Sequence, residues 1–382
     1  MRSIVVVGGG IVGSSLAYHL GESSHDVTLL EKQSLGSGTT GKSIACFGWY
    51  PLYSGHGYEL ASRSWDIYGP LVEDGTIPYH DNGLLEVADT EAAFEELKEG
   101  VEALQAEGHP AEVLEAEAVR GHGVAPEAVG AGAALFPSAG RLDPSGIVSQ
   151  FADRAREYGV AIETGVEVTD LLIEGDEIAG VSTTDGDRDA DVVVNAAGPW
   201  APRLNAMAGV SLPLRHTYAP ISVLETASEF ALPTVIFEDG LYFTGERSAK
   251  VLAGRAPHES SDEDGFEAAL ELADPDSEQG LGMGSVGEKH RTTIAREAQR
   301  RIPKLEGAEI SNEWQGVRCL TPDYRPAVGP TDLEGFYAAT GMSGWGITFA
   351  PACAELLAAH LTDGSISETL EYLSPDRFSG EE

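Results

Sequence analysis

The sequence is short of positive charge. Of its 382 residues, 24 are lysine or arginine against 62 aspartate or glutamate, a formal net charge of −38. Lysine is nearly absent, so arginine supplies most of the basic groups. No basic stripe is available to neutralise phosphates, which excludes nucleic acid as an expected partner. Cysteine is scarce too. Cys46, Cys319 and Cys353 show neither paired nor metal-ligand spacing, so no disulfide framework and no metal site are expected, and a reducing cytoplasm fits. No apolar run approaches ~18 residues, so a membrane-crossing helix is not expected. A strand pattern starts within the first few residues, so no secretory leader is expected, and the expected location is cytoplasmic.

What is present is an ordinary apolar content of 42%, enough for a sizeable core and, at this length, two domains. The acids are spread along the chain rather than gathered in a tail. Dispersed acids over a normal core suit a high-salt cytoplasm, where the Debye length falls to about 3 Å at 1 M and like charges hardly feel one another.

The first informative stretch is "SIVVVGGGIVGSSLAYHL". Ile4 to Val7 is a β-branched run of the kind buried on both faces of a sheet. Gly8, Gly10 and Gly13 follow at fingerprint spacing, with Ile11 and Val12 between them, and Leu16, Ala17 and Leu20 then recur at helical spacing. A tight turn, a close backbone approach to a pyrophosphate and close helix packing each demand one of those glycines, and the helix N-terminus favours the phosphates. A second strand, Asp26 to Leu30, delivers Glu31 at the distance suited to ribose hydroxyls. This fingerprint alone does not separate a nicotinamide from a flavin dinucleotide.

Further along, Glu91 to Glu107 reads as an acidic amphipathic helix, and Ile147 to Tyr158 as a helix begun by "LDPSG". Val160 to Val168, Ile178 to Thr183 and Val192 to Ala196 read as strands. Residues 258–290, polar, acidic and glycine-bearing, read as a partly helical surface insertion. "LEGFYAAT" leads into the glycine-rich "GMSGWGI" and then into an apolar helix, Phe349 to Leu361, a second place where backbone amides could meet a polar ligand.

Taken in order, these pieces resemble the FAD-dependent D-amino acid oxidase superfamily, the branch of glycine oxidase, sarcosine oxidase and D-amino acid dehydrogenase. The resemblance covers almost the whole chain and is carried by "VVVGGGIVGSSLAYHL", "VTLLEK", "GSGTTGKSIACFGWY", "LFPSAGRLDPSGIVSQFADRAREYGVAI" and "DVVVNAAGPWA". Its most specific parts are "GVRCLTPDYRPAVGP" and "YAATGMSGWGITFAPACAELLAAHL". It implies an α/β fold in which a discontinuous, Rossmann-like FAD domain (1–82, 141–204 and 316–382) carries an α+β substrate domain (83–140 and 205–315) built on an antiparallel sheet.

The resemblance also assigns residues. Gly8, Gly10, Ile11, Val12 and Gly13 are expected at the pyrophosphate, with Glu31 and Lys32 at the adenosine ribose. Thr39, Thr40, Lys42 and Ser43 belong to the second flavin loop, and Val168, Ala197, Gly198 and Trp200 to the adenine side. Gly341, Met342, Ser343, Gly344, Gly346 and Ile347 form the turn expected at the flavin ring. Some relatives attach flavin through a histidine in the second loop, where this chain has Lys42. Others use a cysteine near the "TPD" stretch, and Cys319 differs in spacing. Non-covalent FAD is therefore expected. Arg318, in "GVR", is expected to clamp a substrate carboxylate through paired hydrogen bonds. His216, Tyr218 and Tyr242 are expected on strands that floor the substrate pocket, and Lys250 is placed near the flavin.

The activity so implied is oxidation of the C–N bond of a D-amino acid, glycine or N-methylated glycine, with electrons passing to oxygen or a respiratory carrier. Two alternatives stay open: oxidation of a 2-hydroxy acid with His216 as base, and a flavin-binding partner protein without turnover.

Overall fold

The computed structural model describes residues 1–49, 55–246, 248–256 and 286–379. Its first strands are β1 (Ser3–Val7), β2 (Asp26–Glu31), β3 (Cys46–Phe47), β4 (Tyr79–His80), β5 (Leu84–Ala88), β6 (Glu112–Leu114), β7 (Gly132–Phe136) and β8 (Gly140–Leu142). There follow β9 (Ala161–Thr164), β10 (Val168–Glu174), β11 (Glu177–Thr183), β12 (Gly186–Asp189), β13 (Val192–Asn195), β14 (Arg215–Glu225) and β15 (Thr234–Phe237). The last are β16 (Leu241–Gly245), β17 (Lys250–Arg255), β18 (Glu309–Leu320), β19 (Ala327–Pro330) and β20 (Phe336–Thr340). The helices are α1 (Ile11–Gly21), α2 (His56–Glu73), α3 (Glu91–Ala106), α4 (Pro144–Glu157), α5 (Ala201–Met207), α6 (Glu288–Arg301), α7 (Gly346–Asp363) and α8 (Glu368–Tyr372).

One six-stranded sheet runs β19-β20-β13-β1-β2-β9. It is parallel except for the antiparallel edge pair β19–β20. β1 lies in its middle, so alternate side chains must be buried on both faces. Ile4 and Val6 join the core made with Leu16 and Leu20 of α1, Phe151 of α4 and Phe349 of α7. Val5 and Val7 pack on the opposite side with Leu171 and Val181 of the meander β10–β12. The expected single strand over Val160 to Val168 is in fact two. β9 stops at Thr164, Gly165 turns the chain at φ +77°, and β10 starts at Val168 in a different sheet.

The second large sheet runs β18-β14-β17-β16-β15-β5-β7-β6, with β15–β5 its one parallel pair among the described residues. Val235, Phe237, Phe243, Val251 and Ala253 face a core completed by Ile294 and Ala298 of α6. The other face receives Ile44 from the loop before β3, which packs with Ile221, Val223, Leu252 and Trp314. A small sheet, β3-β8-β4, sits beside that loop. The expected domain boundary between residues 315 and 316 falls inside β18, which pairs with β14 from Glu309 to Leu320. Of the expected insertion at 258–290, residues 258–285 lie outside the described residues, and Glu288 begins α6.

Candidate functional site

The strand-to-helix turn after β1 is built around glycine. Gly8 has φ +111°, and a Cβ there would stand 2.5 Å from the Ala196 carbonyl oxygen. A Cβ on Gly13 would stand 1.8 Å from the Gly8 carbonyl oxygen, so α1 can pack onto its own entry turn only with glycine there. The first amides of α1 have no intrahelical acceptor. That of Ile11 donates to Thr40 Oγ1 at 3.1 Å, which draws the second loop over the turn. Thr39 Oγ1 donates to the Val317 carbonyl at 2.6 Å and ties the same loop to β18.

One continuous cleft runs past these groups. At one end it is walled by Glu31, Lys32, Val168, Ala197, Gly198 and Trp200. Glu31 receives the Gly9 and Gln33 amides, both at 2.7 Å, so its carboxylate is fixed by its own turn and keeps further lone pairs for hydroxyl donors. The Lys32 ammonium lies 3.9 Å from the Trp200 ring centroid. In the middle lie Gly8, Gly10, Ile11, Val12, Thr39, Thr40 and Ser43. Lys42 and Gly13 do not line the cleft. Gly13 acts through packing, and the Lys42 carbonyl accepts from Trp314 Nε1 at 3.0 Å.

The far end is closed by Val317 to Cys319 and by the turn before α7, with Gly341 to Gly344, Gly346 and Ile347. Ser343 is fully buried at φ +49°, a conformation costly for a residue with a Cβ. Its amide donates to the Cys319 carbonyl at 3.0 Å, its hydroxyl donates to the Gly341 carbonyl at 3.1 Å, and the same hydroxyl accepts from the Thr321 amide at 3.2 Å. The Ser343 side chain therefore holds the turn at the cleft wall. Burial pushes the Cys319 thiol up to about 12, so it stays neutral.

The cleft thus offers a glycine cradle at one helix N-terminus, an acid and an aromatic wall at one end, and a second helix N-terminus at the other. This donor set fits FAD laid along it, with the pyrophosphate at α1.

Arg318 lines the far end; burial lowers its pKa, and its Nη2 donates to the Arg255 carbonyl at 2.5 Å. Tyr242 stands beside it without lining the cleft. Burial pushes this phenol up to about 12, while the charges of Arg318 and Arg141 pull it down. Tyr242 pairs with Gly254 across β16–β17, and a Cβ on Gly254 would stand 2.3 Å from the phenol oxygen. The glycine is what lets the ring lie down on the sheet.

Strand parity separates the other candidates. Directly paired residues share a face, and neighbours along a strand alternate. Tyr242 pairs with Gly254, Gly254 with Ile221, and Ile221 with Trp314. Two and four residues back along the β14–β18 ladder are Ala219 with Gly316 and Thr217 with Arg318, on that same face. His216 pairs with Cys319, and Tyr218 with Val317, on the opposite face. His216 is buried, Tyr218 is 38% exposed, and neither side chain shares the Arg318 face. Lys250 is exposed at the start of β17 and is also outside the cleft. Sequence reasoning missed Arg141, whose partners are about a hundred residues away on either side; no local pattern announces it. It also missed Gly9, the direct neighbour of two glycines it singled out.

The FAD dependent oxidoreductase model of the DAO family matches residues 3–360. Among characterised proteins, the chain is 29% identical to 4-methylaminobutanoate oxidase (formaldehyde-forming) of Paenarthrobacter nicotinovorans, over 98% of this chain and 45% of that protein. It is 28% identical to mitochondrial dimethylglycine dehydrogenase of Rattus norvegicus, over 98% of this chain and 44% of that protein. The chain therefore spans a little under half the length of these relatives. Among solved structures, L-proline dehydrogenase from P. horikoshii matches with a TM-score of 0.85 at 26% identity, covering 99% of this chain and 98% of that one. Glycine oxidase from Geobacillus kaustophilus shares the fold, with a TM-score of 0.80 at 24% identity over 99% of both chains. With the glycine cradle, the Glu31 end and the α7 turn all on one cleft, the chain belongs to the DAO family of FAD-dependent oxidoreductases.

Proposed function

We propose that this chain oxidises the C–N bond of a small amino acid of the D-amino acid, glycine or N-methylglycine type, held by its carboxylate on Arg318. The observation that carries the reading is the state of Arg318. In a chain with 62 acids, this arginine has no carboxylate partner among the described residues; its contacts are the Arg255 carbonyl and the field of Tyr242. A guanidinium stays charged even when burial lowers its pKa, so it calls for an anion. The two relatives and the L-proline dehydrogenase named above carry the names of amino acids with an alkylated nitrogen, which supports an amine substrate with a carboxylate.

Bound FAD supplies the two-electron acceptor that takes the substrate hydrogen as hydride. The chain has to bind, orient and keep charges in order. Arg318 fixes the carboxylate through two parallel hydrogen bonds, which restricts the α-carbon to a small region at the end of the cleft. Tyr242 is neutral at any ordinary pH, so it adds no negative charge beside the Arg318 guanidinium that would compete with a carboxylate. The amine must lose its proton before reaction, and solvent can take it. A 2-hydroxy acid would need a base for its hydroxyl proton. His216, the candidate, faces away from Arg318, which favours the amine reading. The acceptor that would reoxidise bound FAD is expected to be oxygen or a respiratory carrier.

The test is an absorbance spectrum of the holoprotein in high salt, without oxygen, before and after adding glycine, N-methylglycine, dimethylglycine, L-proline, D-alanine and lactate. Bleaching by an amino acid supports the reading, and bleaching by lactate alone overturns it. Arg318→Ala should keep the flavin spectrum and raise KM by about 100-fold, the scale of a lost charge-assisted pair. A variant with unchanged KM would remove the clamp from the proposal.

A further inference from the structure

Three segments far apart in sequence meet at Arg141. It is the middle residue of β8, paired with Cys46 of β3 on one side and His80 of β4 on the other. Its side chain is 13% exposed. Nε donates to the Ile44 carbonyl at 2.8 Å, and Nη1 donates to the Glu246 carboxylate. Ile44 belongs to the loop whose earlier residues Thr39, Thr40 and Ser43 line the cleft. Glu246 directly follows β16, the strand that carries Tyr242.

The loop between these anchors is under strain. Ala45 has φ +51°, in the left-handed region that a residue with a Cβ avoids. Such a conformation persists only where its surroundings over-determine it. Here the Ala45 amide donates to Ser43 Oγ at 2.9 Å, and the Ala45 carbonyl accepts from the Leu142 amide at 3.0 Å. The Ile44 carbonyl, one peptide earlier, is the one Arg141 takes. Residues 141 and 142 of β8 thus hold both carbonyls of the strained turn, while the Ile44 side chain packs on the substrate sheet. The charge of Arg141 also reaches Tyr242.

We propose that Arg141 is a positioning residue that locks the strained 43–45 turn against the substrate sheet through Glu246, and by doing so sets how firmly the flavin-facing loop holds FAD. A planar guanidinium suits this because it offers two donors in a fixed fork to two acceptors on different segments. A lysine would offer one movable point charge. The inference needs only the cofactor of the family and no particular substrate, so it stands or falls apart from the Arg318 clamp.

The experiment measures FAD dissociation from the full chain by the recovery of flavin fluorescence on release. It compares wild type with Arg141→Met, Arg141→Lys, Glu246→Gln and the double variant Arg141→Met/Glu246→Gln, with thermal unfolding as a check on folding. Arg141→Met should weaken FAD binding by about tenfold, the scale of a lost hydrogen bond to a charged group. Arg141→Lys should fail to restore it. Glu246→Gln should weaken it less, because the Ile44 bond survives. The double variant should be no weaker than Arg141→Met alone, since both changes act through one group. A folded Arg141→Met protein with wild-type FAD affinity overturns the proposal, as does full additivity in the double variant. If Arg141→Met does not fold, Glu246→Gln decides alone: weakened FAD binding supports the proposal, and wild-type binding overturns it.

Discussion

At the scale of single residues, burial decides which groups carry charge near the cleft. Tyr242 and Cys319, both pushed up to about 12, are neutral, so the far end of the cleft holds a guanidinium and no nearby anion of its own among the described residues. The same rule acts away from the site at His19, in the last turn of α1. Its ring centroid lies 4.8 Å from that of Tyr18, the two rings tilted by 53°, and its Nε2 has no hydrogen-bond partner among the described residues. Burial lowers its pKa to about 4. Between pH 4 and pH 6.5 the unfolded chain binds a proton here that the folded chain does not, so stability falls as pH drops across that window and levels off below it. The loss amounts to at most about 3 kcal/mol. His19→Phe should flatten that part of the profile. Urea midpoints at pH 7 and pH 4.5, in constant high salt, measure it; a variant as pH-sensitive as wild type would remove His19 as the cause.

At the scale of elements, α6 shows how few cations are needed to pin a sheet. Glu297 accepts from Arg296 and Arg300 at 2.8 Å and from Arg301 at 2.9 Å. Arg301 also donates to both oxygens of Asp239, at 2.9 and 2.6 Å, in the turn between β15 and β16, and its guanidinium lies 4.5 Å from the Phe237 ring centroid. The helix is thereby fixed to the back of the strand that carries Tyr242. Burial would raise the Glu297 pKa, but its three arginines hold it at about 2. Its contribution is complete above about pH 4.5 and fades as pH falls toward 2. Glu297→Gln should cost about 3 kcal/mol at pH 7, because Arg301 is buried and loses one of its two acids. Denaturant unfolding checks this, and a loss below about 1 kcal/mol would mean that the network is slack.

Elements also mark where the sequence was readable. The β1–α1–β2 unit, the Asp143-capped start of α4 and the turn into α7 announce themselves locally, through glycine spacing, a capping side chain and a switch of apolar period. Arg318, expected from the short "GVR" stretch of the resemblance, does line the cleft. The face on which His216 and Tyr218 point was not legible. It depends on how β14 pairs with β18, about a hundred residues on, and a shift of one residue reverses every side chain. The strand expected at Val160 to Val168 failed for a local reason that apolar patterning hides, a left-handed glycine in its middle.

At the scale of the whole molecule, the surplus of acids is the dominant electrostatic fact. Ion pairs absorb arginines in tight groups, as at Glu297 and as where Asp323 pairs with both Arg325 and Arg377. With 62 acids against 24 lysines and arginines, a formal net charge of −38 leaves a large surplus of acids with no basic counterpart. Salt weakens both the pairs and the repulsion. Because acids so outnumber bases, the repulsive sum is the larger and its removal should win. Raising KCl from about 0.1 M to about 2 M shortens the Debye length from roughly 10 Å to under 3 Å, less than the spacing of most surface charges. The melting temperature of the full chain should therefore rise by about 5 °C or more over that range, equivalent to one or two kcal/mol. Sucrose at matched osmolality separates screening from general surface exclusion, since it strengthens burial without touching charge. A rise in KCl that sucrose does not reproduce supports repulsion as the cause. A flat or falling melting temperature in KCl would mean that the surface acids are already compensated, and that the composition reflects something other than self-repulsion relieved by salt.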